Sequence, residues 1–277
     1  LGLPWDDQKA QSSAQEMFQR MWDFKWLPPG RGLWTMGTEV VQRKGSACLQ
    51  NCAFVSTKDL PSDFAGPFCF LMDMSMLGVG VGGDTKGAGS VMIQAPEKSA
   101  IPHVVEDTRE GWVALVRRVL ESYAGAASYP ESIDYSQVRG RGEPIRGFGG
   151  IASGPDPLID LVGHITEMFD QAVGQPVSST LIVDTFNYIG KCVVAGGIRR
   201  SAEIMFGEPD DKEFLALKQD QEALRDRRWA SNNSIIGHVG MNYGELAEAI
   251  KVNGEPGIIW LDNMRKYSRL ADPADHK

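Results

Sequence analysis

Short apolar runs of strand length alternate along this chain with amphipathic stretches of helix length. That alternation limits the chain to an α/β layer or barrel built on parallel strands. The strand-like runs are Ala53-Phe54-Val55, Ser90-Val91-Met92-Ile93, Glu203-Ile204-Met205-Phe206 and Gly257-Ile258-Ile259-Trp260, the last reading as buried, with Ser132 to Val138 as a further extended segment. Helical spacing joins Ala14, Met17, Phe18, Met21 and Trp22, and Pro28-Pro29-Gly30 closes that run. Pro61 to Leu77 is apolar and of helix length. Asp107 and Glu110 stand at capping-box spacing before a stripe of Val113, Val116, Leu120 and Tyr123. Asp156-Pro157 opens a helix reaching about Ala172, and Leu181 to Val194 is apolar and helical. Asp211 to Arg228 reads as a charged surface helix and Tyr243 to Val252 as another. No repeat and no clear linker divides the chain, so one unit over residues 1–277 is expected.

Charge narrows the function classes. A net charge of −8 argues against a protein that grips the DNA or RNA backbone, while leaving room for a small anion held by local arginines. No apolar run approaches the roughly 20 residues of a membrane span and no basic-then-apolar leader opens the chain, so no membrane partner and a cytoplasmic location are expected. The cysteines (Cys48, Cys52, Cys69, Cys192) form no Cys-x-x-Cys pair and the four histidines are scattered, so no metal site is expected. Cys69 and Cys192, in apolar surroundings, fit small core residues.

Glycine marks the candidate binding segments, clustering at Gly78 to Gly89, Gly140 to Gly154 and Gly196-Gly197. Gly78-x-Gly80-x-x-Gly83 has the spacing of a dinucleotide fingerprint, but the breakers in Asp84 to Gly89 start no helix, which removes that reading. A glycine-lined phosphate or nucleotide loop of another kind is the remaining expectation. Gly196-Gly197-Ile198-Arg199-Arg200 places two guanidinium forks after two glycines, suited either to an anion or to capping the preceding helix. If Ala53 to Val55 is a strand, Cys52 shares a face with Phe54 at the strand mouth, where its thiol reaches a cavity or is simply a buried hydrophobe.

A set of ordered blocks carries a resemblance. Trp26 to Trp34, Asn51-Cys52-Ala53-Phe54-Val55, Glu106 to Trp112 and Gly147 to Pro155 are followed by Gly196 to Glu203, Lys218 to Glu222, Arg228 to Ser234 and Asn253 to Gly257. Together they resemble the adenosylcobalamin-dependent (class II) ribonucleotide reductases and, among these, the ribonucleoside-triphosphate reductases that use thioredoxin. The resemblance implies an α/β fold forming half of a ten-stranded barrel, about five parallel strands with flanking helices. It implies that Cys52 is a redox cysteine, forming a disulfide with a cysteine beyond this chain as the ribose 2′-hydroxyl leaves. Asn51 and Thr38 would lie near the substrate ribose. Gly80, Gly82, Gly83, Asp107, Arg109, Gly197, Arg199 and Arg200 would belong to an effector region over about residues 78–245, where a deoxynucleoside triphosphate tunes base choice.

The implied partners are ribonucleoside triphosphates, deoxynucleoside triphosphate effectors, thioredoxin and a missing C-terminal half that holds most of the adenosylcobalamin. The family's Asn-Pro-Cys-x-Glu segment, its second redox cysteine and its C-terminal cysteine pair are not found by Lys277, so the chain alone is expected to be inactive. Cys48 departs from the pattern, where a small non-thiol residue is usual. A catalytically silent nucleotide-binding module and the first chain of a split reductase are the alternative readings.

Overall fold

The computed structural model describes residues 6–145, 150–195 and 202–267, and the chain divides into two compact units, residues 1–50 and 51–277. The first unit is helical. α1 (Asp7–Trp22) starts where the Asp6 carboxylate accepts the Lys9 N–H at 3.0 Å, and it ends at Asp23, well before the prolines expected to stop it. α2 (Gly30–Thr35) follows those prolines. α3 (Glu39–Lys44) is capped by Thr38, whose hydroxyl accepts from the Val40 N–H and donates to the Thr35 carbonyl. A 3-10 turn at Ser46–Leu49 closes the unit with Cys48 buried. The α1 stripe has the expected spacing, yet no residue of the helix is buried, and Phe18 and Trp22 stack on each other in the open.

The second unit runs β1 (Cys52–Val55), α4 (Gly66–Met76), β2 (Gly80–Asp84), β3 (His103–Val104), α5 (Arg109–Tyr123) and β4 (Ile133–Asp134). It continues through α6 (Asp156–Gln171), α7 (Ser179–Val194), β5 (Glu203–Gly207), α8 (Lys212–Ala216) and α9 (Gln221–Asp226). β6 (Ser231–Ile236), α10 (Gly244–Asn253), β7 (Gly257–Ile259) and α11 (Leu261–Tyr267) complete it. β1, β2, β5, β6 and β7 form one parallel sheet in that order, the five parallel strands with flanking helices that the sequence predicts. β3 and β4 make a small separate pair. No helix among the described residues is long and apolar enough to cross a membrane.

Register gives the sheet two different faces. Phe54, Gly82, Ile204 and Asn232 stand in one row across four strands, and Val55, Gly83, Met205 and Asn233 in the next. Successive residues point to opposite faces. The second row faces α4 and α7, which pack on the sheet, while α5 and α6 pack on those two helices and on each other. Phe68 meets Phe186 edge-on at 5.5 Å, and Phe169 joins Phe64 and Tyr123 at 6.0 and 5.3 Å. Each fully buried side chain of this kind stabilises the fold by about 1.5–3 kcal/mol.

Several expectations are corrected by packing. Gly80 to Asp84 is a strand, not a loop: a Cβ at Gly82 would stand 2.8 Å from the Phe54 ring, and one at Gly83 2.6 Å from the Phe186 ring. The close approach these glycines permit is therefore that of the protein's own side chains. Ser90 to Ile93 forms only an isolated bridge, Met92 to Pro176, because the next bonds are offset: Gly174 and Gly89, not Gln175 and Val91, donate to the Ile93 and Val177 carbonyls. Of Ser132 to Val138 only Ile133–Asp134 pairs. Thr108, not Asp107, caps α5 by accepting the Gly111 N–H at 2.9 Å, and Leu115 and Val119 join the expected buried stripe while Val113 stays partly exposed. Asp211 to Arg228 breaks into α8, α9 and 3-10 turns, burying Phe214, Leu217, Lys218 and Arg228. β7 is a half-exposed edge strand rather than a buried one.

Gly83→Ala should lower stability by about 1–3 kcal/mol through overpacking against Phe186. Gly163→Ala, on an open position of α6 with nothing within 4 Å, should raise it by about 0.5–1 kcal/mol. Urea unfolding followed by circular dichroism checks both, and a neutral Gly83→Ala would refute the packing role.

Candidate functional site

The pleat of β1 places Cys52 and Phe54 on the face of the sheet away from α4 and α7, and both are exposed. Ile204 and Phe206 of β5 and Asn232 and Ser234 of β6 share that face by register. The Phe54 and Phe206 rings lie 6.0 Å apart across β2, in the space that Gly82 leaves. Asn51, exposed beside Cys52, ties the start of the sheet through its carbonyl, which accepts the Gly80 N–H at 2.9 Å. The open face thus combines one thiol, an apolar floor and two polar side chains on β6.

Cys52 is set apart from the other thiols. Cys48, Cys69 and Cys192 are buried. Burial pushes the Cys69 thiol up to about 12, against the pull of Arg117, and burial likewise pushes Cys192 up to about 12.

The covered face carries a polar layer that the sequence reading missed. Asp184, in the middle of apolar α7, accepts from Arg228 Nε at 2.7 Å and Nη2 at 2.9 Å and from Arg227 Nη2 at 2.8 Å. Lys218 Nζ donates to the carbonyls of Arg228 and Ser231 and pairs with Glu255 Oε2 at 3.1 Å. Glu255 Oε1 in turn accepts from Asn232 Nδ2 at 2.9 Å, reaching the open face. Glu203 is buried with both carboxyl oxygens unpartnered among the described residues, in space that Gly190 of α7 leaves free. Burial pushes its acid well above the usual carboxylate range, against the attraction of Lys218. The signal for this layer was the charge at Asp184 within an apolar helix, which demands a buried cation from elsewhere.

A cleft of about 210 Å³ lies between the start of α6 and the end of α7, walled by Arg141, Ser153, Asp156, His164, Tyr188 and Lys191 among others. His164 stacks on Tyr188 at 4.3 Å and 14°. The first turn of α6 has no side-chain cap; Pro157 brings no N–H, and the Leu158 and Ile159 N–H groups donate to the Pro155 carbonyl at 2.9 and 3.0 Å. Ala195 also lines the cleft; the chain then enters Gly197, Arg199 and Arg200, which lie outside the described residues. The other predicted residues are elsewhere. Asp107 accepts from Arg139 at 2.7 Å, and Arg109 pairs with Asp73 and Glu110 at 3.1 and 2.6 Å. Gly80, Gly82 and Gly83 are sheet residues, and Thr38 caps α3 in the first unit.

Two family models match the chain: "B12-dependent ribonucleotide reductase, insertion domain" over residues 84–169 and "Ribonucleotide reductase alpha domain" over residues 1–38. An adenosylcobalamin-dependent ribonucleoside-triphosphate reductase of Euglena gracilis is 48% identical over 100% of this chain and 38% of its own length. The enzyme of that name from Lactobacillus helveticus is 34% identical over 98% of this chain and 44% of its own. A crystal structure of a B12-dependent (class II) ribonucleotide reductase superposes with a TM-score of 0.80 at 31% identity, covering 94% of this chain and 43% of that one. The chain spans about two fifths of the length of the curated relatives it matches. The insertion-domain match holds α5 and most of α6, a segment the sequence reading did not separate. Its trace was the distance in sequence from β2, ending at Asp84, to its parallel neighbour β5, beginning at Glu203.

In native residues 1–277, iodoacetamide should alkylate Cys52 at least about tenfold faster than Cys48, Cys69 or Cys192, because it is exposed and those three are buried, and burial also raises the Cys69 and Cys192 thiols. Peptide mapping by mass spectrometry reads the order, and equal rates would contradict the exposed position of Cys52.

Proposed function

Because the chain belongs to the B12-dependent (class II) ribonucleotide reductases, we propose that its sheet is the N-terminal half of a ten-stranded barrel that reduces ribonucleoside triphosphates. The observation that carries this reading is the exposed thiol of Cys52 on the uncovered face of a sheet otherwise packed against helices. Cys52 and a second thiol from the rest of the reductase are oxidised to a disulfide as the ribose C2′–OH becomes C2′–H. Two thiols give two electrons and two protons, the oxygen leaves as water, and thioredoxin returns the electrons. Asn51, next to Cys52, and Thr38 serve the substrate ribose in this reading.

The concavities described here do not suit a corrin ring. Among the described residues they hold about 210 and 450 Å³ and are walled by charged groups, the larger by Asp59, Asp63, Asp73 and Arg117. Adenosylcobalamin is therefore assigned to the remaining part of the reductase.

The deoxynucleoside triphosphate effector is assigned to the cleft between α6 and α7. Arg141 and Lys191 suit its phosphates, and Asp156 and Asp160 can accept from a sugar hydroxyl. Gly197, Arg199 and Arg200 follow directly on the cleft wall in sequence and tune base choice. Asp107 and Arg109 act one step away, through the ion pairs that hold their segments in place.

In the full-length reductase, Cys52→Ser should abolish repeated turnover with thioredoxin while Cys48→Ala keeps most activity; normal turnover by Cys52→Ser ends the assignment. Lys191→Ala and Arg141→Ala should each weaken effector binding by about tenfold or more, the loss expected of a charge-assisted hydrogen bond. Equilibrium binding of deoxynucleoside triphosphates tests this, and unchanged affinity in both variants would move the effector elsewhere.

A further inference from the structure

We propose that Arg227 is a two-position ion-pair switch carrying occupancy of the α6–α7 cleft to the open face of the sheet. The inference rests on the effector assignment made above and adds the route by which that site acts.

The route begins at Lys191 on the cleft wall, whose Nζ donates to Asp226 Oδ1 at 2.6 Å. Asp226 stands behind that wall, and its Oδ2 also accepts from the Tyr188 hydroxyl at 2.9 Å and, weakly, from Arg227 Nη1 at 3.4 Å. Arg227 makes its good contact elsewhere, donating from Nη2 to Asp184 Oδ2 at 2.8 Å. Its Nε is buried without an acceptor among the described residues. Arg227 is thus poised between two carboxylates, held firmly by one and loosely by the other, with a spare donor. A buried orphan donor of this kind costs free energy that a second arrangement would recover.

Charge balance defines that second arrangement. Asp184 and Asp226 face three cations, Lys191, Arg227 and Arg228. A triphosphate in the cleft offers Lys191 a more highly charged anion. Once Lys191 turns to it, two carboxylates face two guanidinium groups. Asp226 has then lost its shortest contact, and Arg227 can supply a replacement through Nε and Nη1. Turning toward Asp226 loosens Arg227 from Asp184, which is left to Arg228.

The remaining links lead to the open face. The Arg228 carbonyl accepts from Lys218 Nζ, Lys218 holds Glu255 Oε2 at 3.1 Å, and Glu255 Oε1 holds the Asn232 amide at 2.9 Å. Asn232 stands in the row of Phe54 and Ile204, on the face that carries Cys52. Every link is a direct contact within one residue or between two, so a shift at Arg227 has a physical means of reaching the substrate side. Arg227 and Glu255 are positioning residues: neither lines the cleft.

The test uses the full-length reductase and equilibrium binding of ribonucleoside triphosphates with and without saturating deoxynucleoside triphosphate. The ratio of the two affinities is the coupling factor, expected in the range of about five- to 150-fold for the unaltered protein. Asp226→Asn keeps the shape but removes the charge that draws Arg227 over. It should leave substrate affinity without effector unchanged, keep effector affinity within about threefold and cut the coupling factor at least fivefold. Arg227→Lys retains the charge but lacks the fork that spans two carboxylates, and should do the same. Coupling at the unaltered level in both variants overturns the switch, as does a drop in melting temperature with coupling intact, which a purely structural network would give. Lys191→Ala separates this failure from that of the cleft. Unchanged effector affinity in that variant refutes the cleft assignment, whereas weakened affinity with normal coupling in Asp226→Asn refutes the switch alone.

Discussion

The carboxylate of Asp184 is buried in the middle of α7, and the second half of the sheet is organised around satisfying it. Arg228 grips it with two N–H groups at 2.7 and 2.9 Å, and Arg227 adds a third at 2.8 Å. Such a pair contributes little net stability over well-packed apolar groups, but breaking it costs about 3–5 kcal/mol because a charge is left buried alone. The chain after β5 must therefore return to α7 with both arginines inward. That requirement breaks Asp211 to Arg228 into short helical pieces, and it delivers the chain at Ser231 to begin β6 beside β5.

The same face carries the rest of a polar layer between α7 and the sheet. Asn187 Nδ2 donates to Ser231 Oγ at 3.1 Å, Ser231 Oγ donates to Asn233 Oδ1 at 3.0 Å, and Lys218 ties Ser231 to Glu255. Burying so many polar groups selects one register, since a slip of one residue would turn each of them to the wrong side. Glu203 has no partner in this layer among the described residues, and Gly190 is small because the Glu203 carboxyl occupies the space beside it.

Parallel sheets are ordinarily buried on both faces. Here helices of the same unit cover one side, and among the described residues Cys52, Phe54 and Asn232 stand exposed on the other. In the proposed barrel this exposed apolar floor is the face turned to the interior. The exposed and packed faces thus differ by a single step along each strand: Gly82 makes room for Phe54 on one, Gly83 for Phe186 on the other.

Much of this was legible before any coordinates. Apolar periodicity located α5, α6, α7 and α10, and alternation on β1 put Cys52 and Phe54 on one face, because these patterns depend only on neighbours in the chain. The family blocks located the reductase resemblance for the same reason. Gly80 to Asp84 was not legible as a strand, since three glycines in five residues carry poor strand propensity, and β1, β5 and the Phe186 ring decide the matter. Nor was the cleft, whose walls come from segments far apart in sequence: Arg141, His164 and Lys191 meet only because α6 packs on α7. By itself the sequence determined the order of elements, the parallel α/β class and the face of the candidate thiol, all set by local periodicity. Which face stayed open, where the buried charges found partners and which residues met in the cleft were decided by tertiary structure alone, because burial and ion pairing depend on what long-range folding brings alongside.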